Sequence, residues 1–375
     1  MPRMPRRPAL AAGLALAIAA GPAAQAAENC SACLTGTAER IESTDLTAKL
    51  GAIPTPKHKL HFAYVTKTLI NEFWQDVASG IKTEAAKYNI ETDVQSGKDE
   101  SSLIEQLNLA QTMLSRKPDA LLLSPQSDSN LAPVIEAAKK ANIPTVIIDD
   151  ARTPGASSYI GTDQVAIGAK AAEFLHQLYP NGGEVAQIEG QAGSPNARKR
   201  IQGFEETLKK YPDLKLVASQ PGNWDRLTAM NASTNILRQY PKLVGICANN
   251  DGMALGVVEA VKNADKLKQV AVVGTDGIRQ AKKSIAAGEE RATVAEFPYD
   301  EGVLGVKVAL RLLGCQPVPP WVVSPQAVIT KENASLSQSA PETALDCSLG
   351  CLRLRAATAI RPFDAPPQAL SASSA

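Results

Sequence analysis

Ten residues of this chain share a chemistry and a kind of location: Asn71, Phe73, Trp74, Asp149, Asp150, Arg198, Trp224, Asn250, Asp276 and Glu296. Each stands at or just past a short β-prone apolar run, or in the loop that follows one. A ring bearing hydroxyls offers apolar C–H faces that stack on aromatic side chains. Its hydroxyls donate to carboxylates and Asn, and accept from Arg and Asn. That mixture of groups suits a sugar-like polyol.

Each residue also has a plainer role when taken alone. Phe73 and Trp74 could be core at helical spacing. Asp149-Asp150, Asn250-Asp251 and Asp276 could cap the helices that follow them. Arg198 with Lys199 and Arg200 could form a solvated basic face, Trp224 a loop cover, and Glu296 an exposed strand position. What joins the ten is their recurrence at one edge of the strands. Catalytic arrangements are absent where they would be sought. The three histidines (His58, His61, His176) lack metal-ligand spacing, and neither a Gly-x-Ser-x-Gly elbow nor a Gly-x-x-x-x-Gly-Lys loop occurs. Asp149-Asp150 could do acid–base work, but accepting from hydroxyls suits the pair better. No catalytic group, cofactor or resident metal is expected.

The elements that would position these groups alternate. Leu60–Val65 reads as a strand, Asn71–Tyr88 as a helix, Ile90–Gln95 as a strand and Ser101–Arg116 as an amphipathic helix. Ala120–Ser124, Asn130–Ala141 and Ile143–Ile148 repeat the order. A second series begins after Tyr159-Ile160-Gly161: helices at Gln164–Leu178, Pro195–Tyr211, Trp224–Tyr240, Met253–Asn263, Ile278–Ala287 and Tyr299–Leu313. Strands Glu184–Glu189, Leu214–Ser219, Leu243–Ala248, Val270–Gly274 and Ala292–Glu296 separate them, and Gln326–Thr330 ends the series. Such alternation builds βαβ units and parallel sheets. Two series predict two Rossmann-like α/β lobes whose strand ends face a common cleft, where open α/β folds bind ligands.

The ends carry other signals. Arg3, Arg6 and Arg7 precede the apolar run Ala9–Ala20, and Ala24-Gln25-Ala26 supplies small residues for cleavage. Residues 1–26 thus read as a secretory signal peptide, too short in its apolar part to span a bilayer. Glu28-Asn29 before Cys30 argues against a lipid anchor. Residues 27–56 and 336–375 read as cysteine-containing tails. Six cysteines in an exported chain favour disulfides over a zinc site at Cys30, Cys33, Cys347 and Cys351. Cys247, inside an apolar strand, reads as a small buried hydrophobe. With 39 basic against 38 acidic side chains, no basic tract points to nucleic acid.

At this point the residues resemble a family. From about Leu60 to Thr330 the chain resembles sugar-type periplasmic binding proteins of the ribose-binding class. The segments that carry the likeness are Asn71-Glu72-Phe73-Trp74, Ile143–Asp149, Ala197–Phe204, Ser219–Arg226, Ala248–Gly256 and Val273–Gly277. The resemblance implies the periplasmic binding protein-like I fold, two lobes with parallel sheets joined by a three-crossing hinge. Crossings would fall near Gly161–Asp163, Glu296–Phe297 and Val323–Pro325. The first lobe would then hold residues 57–161 and 297–323, and the second 162–296 and 324–335. It also implies a periplasmic monomer that captures a sugar or polyol without turnover and delivers it to an inner-membrane ABC permease. A sensor that presents its closed form to a histidine kinase or chemoreceptor is the other reading. Within the likeness, Arg198 would contact the sugar, Phe73 and Trp74 would cover one ring face, and Trp224 the other. Asp150 and Glu296 replace a donor Arg and a neutral Gln, which makes the pocket more acidic. A neutral polyol in a rearranged, partly water-bridged network satisfies that change, and so would an amino-polyol.

Overall fold

The computed structural model describes residues 38–334. The signal segment and Cys30, Cys33, Cys347 and Cys351 lie outside the described residues. The first lobe contains β1 (Ile41–Glu42), α1 (Leu46–Leu50), β2 (His61–Thr66), α2 (Glu72–Lys87), β3 (Glu91–Ser96), α3 (Leu103–Ser115), β4 (Ala120–Leu123), α4 (Ala132–Lys140), β5 (Thr145–Ile148) and β6 (Ser158–Gly161). The second holds α5 (Gln164–Leu178), β7 (Gly183–Glu189), α6 (Pro195–Leu208), β8 (Leu214–Pro221), α7 (Arg226–Gln239), β9 (Leu243–Ala248), α8 (Asp251–Asn263), β10 (Ala271–Asp276), α9 (Arg279–Ala287) and β11 (Ala292–Ala295). The chain then returns to the first lobe as α10 (Pro298–Leu313) and β12 (Trp321–Val323), and ends in the second as β13 (Ala327–Thr330).

Strand order is β1-β12-β6-β5-β4-β2-β3 in the first sheet and β13-β11-β10-β9-β7-β8 in the second. Every pairing is parallel except β11 with β13. Alternation along each strand decides which layer a side chain joins. Phe62 and Tyr64 of β2 pack in the layer of α2 and α10, while Ala63 and Val65 pack in the layer of α3 and α4. With helices on both faces, β4 and β5 are buried along their whole length, as parallel sheets require. The result is an α/β fold of two lobes with mostly parallel sheets.

The chain passes between the sheets after Gly161, after Ala295 and between Val323 and Ala327. The stretch read as a tail over residues 27–56 is corrected in its second half. Ile41 pairs with Val322 at the sheet edge, and both Ile41 and Leu46 are buried in the first lobe's core. Two anchors on elements of two and five residues are too few to show a period. No disulfide is formed between described residues, and Cys247 is a buried thiol that burial pushes up to about 12. Among the described residues no helix is long and apolar enough to cross a membrane.

Candidate functional site

The carboxyl ends of both sheets open onto one chamber between the lobes. Lys67, Asn71, Phe73, Trp74, Glu100, Asp149, Asp150, Asn196, Arg200, Trp224, Asn250 and Asp276 line it. Their side chains leave about 30 Å³ free, room for a water or two. Outside, a larger cavity of about 690 Å³ shares Asn71, Glu100 and Trp224 with the chamber and forms its mouth.

Local structure aims each group. Asn71 caps α2, its Oδ1 accepting from the Phe73 N–H at 3.0 Å, and its amide donates to Glu100 at 3.0 Å. The Trp74 indole N–H donates to the same Glu100 oxygen at 2.9 Å, which fixes the ring plane. Phe73 meets Trp74 edge to face, with centroids 4.7 Å apart. Asp149 and Asp150 follow β5 with φ of 56° and 57°, and Trp224 has φ of 62° after β8. Left-handed backbone is uncommon for such residues and costs on the order of 1–3 kcal/mol each. It turns the side chains off the strand ends and into the cleft. Asn250 caps α8, accepting from the Met253 N–H at 2.9 Å.

The first contact between lobes is made by acids on one and amides on the other. Asn196 donates to both oxygens of Asp149, at 3.0 and 3.1 Å, while Asp150 accepts from the Asn196 N–H and the Ser194 hydroxyl at 3.3 Å. Lys67 is ion-paired with Asp150, lies 3.7 Å from Glu100 and sits over the Trp74 ring at 5.1 Å. Arg200 donates to Gln164 at 2.7 Å, to the Asn249 carbonyl at 2.5 Å, to Asp276 at 3.3 Å and to Glu296. Glu296 also accepts from Gln164 at 2.6 Å and from Thr162.

Burial raises the pKa of Asp149, Asp276 and Glu296, with Arg200 the main opposing influence on each. Burial alone would lower Arg200, but Glu296, Asp276 and Asp149 together hold it above its ordinary value. Lys67 is lowered, by burial first, against the pull of Glu100 and Asp149.

Eight of the ten sequence-picked residues line the chamber: Asn71, Phe73, Trp74, Asp149, Asp150, Trp224, Asn250 and Asp276. Glu296 lies directly behind, fully buried against Arg200. Arg198 is elsewhere. It is exposed and pairs at 2.8 Å with Asp128 of the first lobe, outside the chamber lining. Two positions on a helix differ by about 200°, so Arg198 and Arg200 cannot both face inward. Asn196 and Arg200, one turn apart, share the inner face. Close packing sets that face: a Cβ on Gly203 would stand 1.9 Å from the Val165 carbonyl, and one on Gly168 2.0 Å from the Arg200 carbonyl. Only glycine lets α5 and α6 approach so closely.

Lys67, Glu100, Asn196 and Arg200 were not among the ten. Lys67 follows β2 as directly as Asp149 follows β5, so position alone could have found it. A lysine is so seldom buried unless paired that residue type argued the other way.

Comparison with known proteins agrees with this geometry. A family model described as a periplasmic binding protein domain matches residues 62–316. The chain is 41% identical over 256 residues to a D-allose-binding periplasmic protein of Escherichia coli (strain K12), covering 66% of this chain and 82% of the relative. It is 32% identical over 271 residues to a D-ribose/D-allose-binding protein of Pseudomonas aeruginosa, covering 70% of this chain and 84% of that one. Among solved structures, an ABC transporter periplasmic solute binding protein from Actinobacillus succinogenes with bound D-allose superposes with a TM-score of 0.71 at 32% identity. That match covers 74% of this chain and 99% of the other.

Proposed function

The chain belongs to the periplasmic binding protein family, whose members bind solutes without turning them over, and from that premise we propose that it captures a neutral monosaccharide between its lobes. The ligand is an aldose of the D-allose or D-ribose kind, and the closed form delivers it to an inner-membrane ABC permease. Residues 1–26 direct export and are removed.

One observation carries the reading. Aromatic rings from opposite lobes, Phe73 and Trp74 on one side and Trp224 on the other, line a single chamber. Around them alternate the donors Lys67, Arg200 and Asn196 and the acceptors Glu100, Asp149, Asp150 and Asp276. A pyranose or furanose ring satisfies such a set through stacked C–H faces and hydroxyls that both give and accept. The pairing of charges supports a neutral ligand over an amino-polyol. A single arginine against several carboxylates would call for a cationic ligand. Here Lys67 is paired with Asp150 and Arg200 with Glu296. Asn196 donates to both Asp149 oxygens and Arg200 contacts Asp276, so these acids are also met from within the protein.

Thermal-shift and calorimetric titration with D-allose, D-ribose, neutral polyols and an amino-inositol test the proposal. A ligand bound only by the folded state raises its stability as RT ln(1 + [L]/Kd). A neutral aldose is expected to give the largest rise. Binding of the amino-inositol alone, or of no aldose at all, would overturn it.

A further inference from the structure

Next to the chamber residues Asn250 and Asp276, the second lobe buries a carboxyl group with no hydrogen bond to offset it. Glu290, in the turn between α9 and β11, is 1% exposed, and neither of its oxygens accepts a hydrogen bond. Its neighbour is another acid, Asp251, the first residue of α8. The Asp251 oxygens accept from the Gly277 N–H at 2.7 Å, the Ile278 N–H at 2.9 Å and the Thr293 hydroxyl at 2.7 Å. A Cβ on Gly274 would stand 2.2 Å from Asp251 Oδ1 and 2.6 Å from Glu290 Oε1, so the two oxygens crowd one point that only glycine leaves vacant.

Two ionised carboxylates cannot share a dry site without a cation. The groups facing the pair are Lys282 from α9, Asp276 from β10 and Thr293 from β11. Lys282 acts on Asp251, whereas the charges that act on Glu290 are both acidic, Asp251 and Asp276. Of the two, Asp251 has the donors that suit an anion, and Glu290 has none.

We propose that Glu290 is a positioning residue that keeps its proton in the folded protein and donates it to Asp251 Oδ1. The carboxyl–carboxylate pair braces the loop from Asp276 to Ile278. Asp251 holds the N–H groups of Gly277 and Ile278 with one oxygen and receives Glu290 and Thr293 on the other. Its own N–H reaches Asp276 Oδ2 at 3.4 Å. Asp276, with φ of 123°, lines the chamber and contacts Arg200. A proton held beside the site thus helps to fix a group that faces the ligand. Burial, with Asp251 and Asp276 adding to it, raises Glu290 well above the ordinary carboxyl range, in keeping with this geometry.

The test needs no ligand for its first two readouts. Infrared difference spectra at pH 7, wild type minus Glu290→Gln or minus Glu290→Leu, are expected to show a protonated-carboxyl stretch belonging to Glu290. Either variant suffices to assign the band, so failure of one to fold leaves the test standing. In denaturation from pH 5 to 8, the folding equilibrium of Glu290→Gln should lose up to tenfold less per pH unit than wild type, one proton's share of the dependence. Glutamine still donates to Asp251 but cannot titrate. Absence of the band, or a Glu290→Gln slope equal to that of wild type, overturns the proposal. The third readout rests on the sugar-binding reading: D-allose affinity should survive in Glu290→Gln and fall severalfold in Glu290→Leu. If wild type binds no aldose, that reading fails while band and slope still judge the pair.

Discussion

Arg198 and Arg200 make a paired experiment in which sequence position is nearly constant and environment is not. The Arg200 side chain is 4% exposed and donates to four partners, two of them carboxylates that are themselves buried. Arg200→Ala leaves Glu296 and Asp276 without their cation and Gln164 Oε1 and the Asn249 carbonyl without a donor. Breaking a buried pair on one side costs roughly 3–5 kcal/mol. The two acids recover part of this by taking up protons, so about 3 kcal/mol of folding stability is the expected loss. Affinity for an aldose should fall at least about 100-fold, since both a donor and the alignment of Asp276 are lost, each hydrogen bond to a charged group contributing about 1.5–3 kcal/mol. The Arg198 and Asp128 side chains are 55% and 59% exposed. Solvent screening limits such a pair to about 0–1 kcal/mol, so Arg198→Ala should change neither property beyond about fivefold. Urea denaturation and calorimetric titration with D-allose, run on both variants, give the answer. Equal losses of affinity in the two would refute the assignment of Arg200 to the chamber.

Further outcomes follow from the same contacts. A Cβ on Gly190 would come within 2.1–2.5 Å of three carbons of the Trp224 ring. Gly190→Ala should therefore displace the ring and weaken aldose binding about tenfold or more, with an altered tryptophan emission and an intact urea transition. Arg279 of α9 reaches across to Glu72 at 2.7 Å and Asp76 at 3.6 Å on α2. It is half exposed, so Arg279→Ala should lower affinity by less than about fivefold, and the difference from wild type should vanish in high salt. Asp149, Glu296 and Glu301 place carboxyl oxygens within 4.8 Å of one another where the chain crosses between lobes, and burial raises all three. The folded protein therefore holds protons that the unfolded chain releases. The stabilisation is complete below the ordinary carboxyl range near pH 4 and is lost as pH climbs through the raised values. One Glu301 oxygen has no partner, while the other accepts from Ser324 at 2.6 Å. Glu301→Gln should thus be at least as stable as wild type at pH 8, with a shallower decline measured by denaturation across pH 5–8.

How far the sequence discloses this protein depends on what kind of signal each feature leaves. The two α/β lobes are legible because burial on both faces of a parallel sheet forces continuous apolar runs, and helices between them keep a 3.6 period. Ile41 and Leu46 escape because elements of two and five residues contain too few turns or alternations to repeat anything. Most of the chamber is legible for a different reason. Strand ends of both sheets face one cleft, so polar and aromatic residues just past those ends converge whatever their separation along the chain. That rule names a position and not an orientation. It reaches Asn71, Asp149 and Asn250 because each immediately follows the turn out of a strand or opens a helix. It fails at Arg198 because on α6 the inward face is chosen by how closely Gly203 and Gly168 let two helices approach, a distance that no periodicity encodes. Lys67 fails in the opposite sense. Its position qualifies, but whether a lysine is solvated or paired with an acid is settled by Asp150, 83 residues away and turned toward it by a left-handed backbone. The same dependence governs charge. Counted from sequence, Asp150 and Glu296 make the pocket acidic; placed in space, each is answered by a cation. Whether an acid is answered by a cation is a property of the fold, and the sequence count does not contain it.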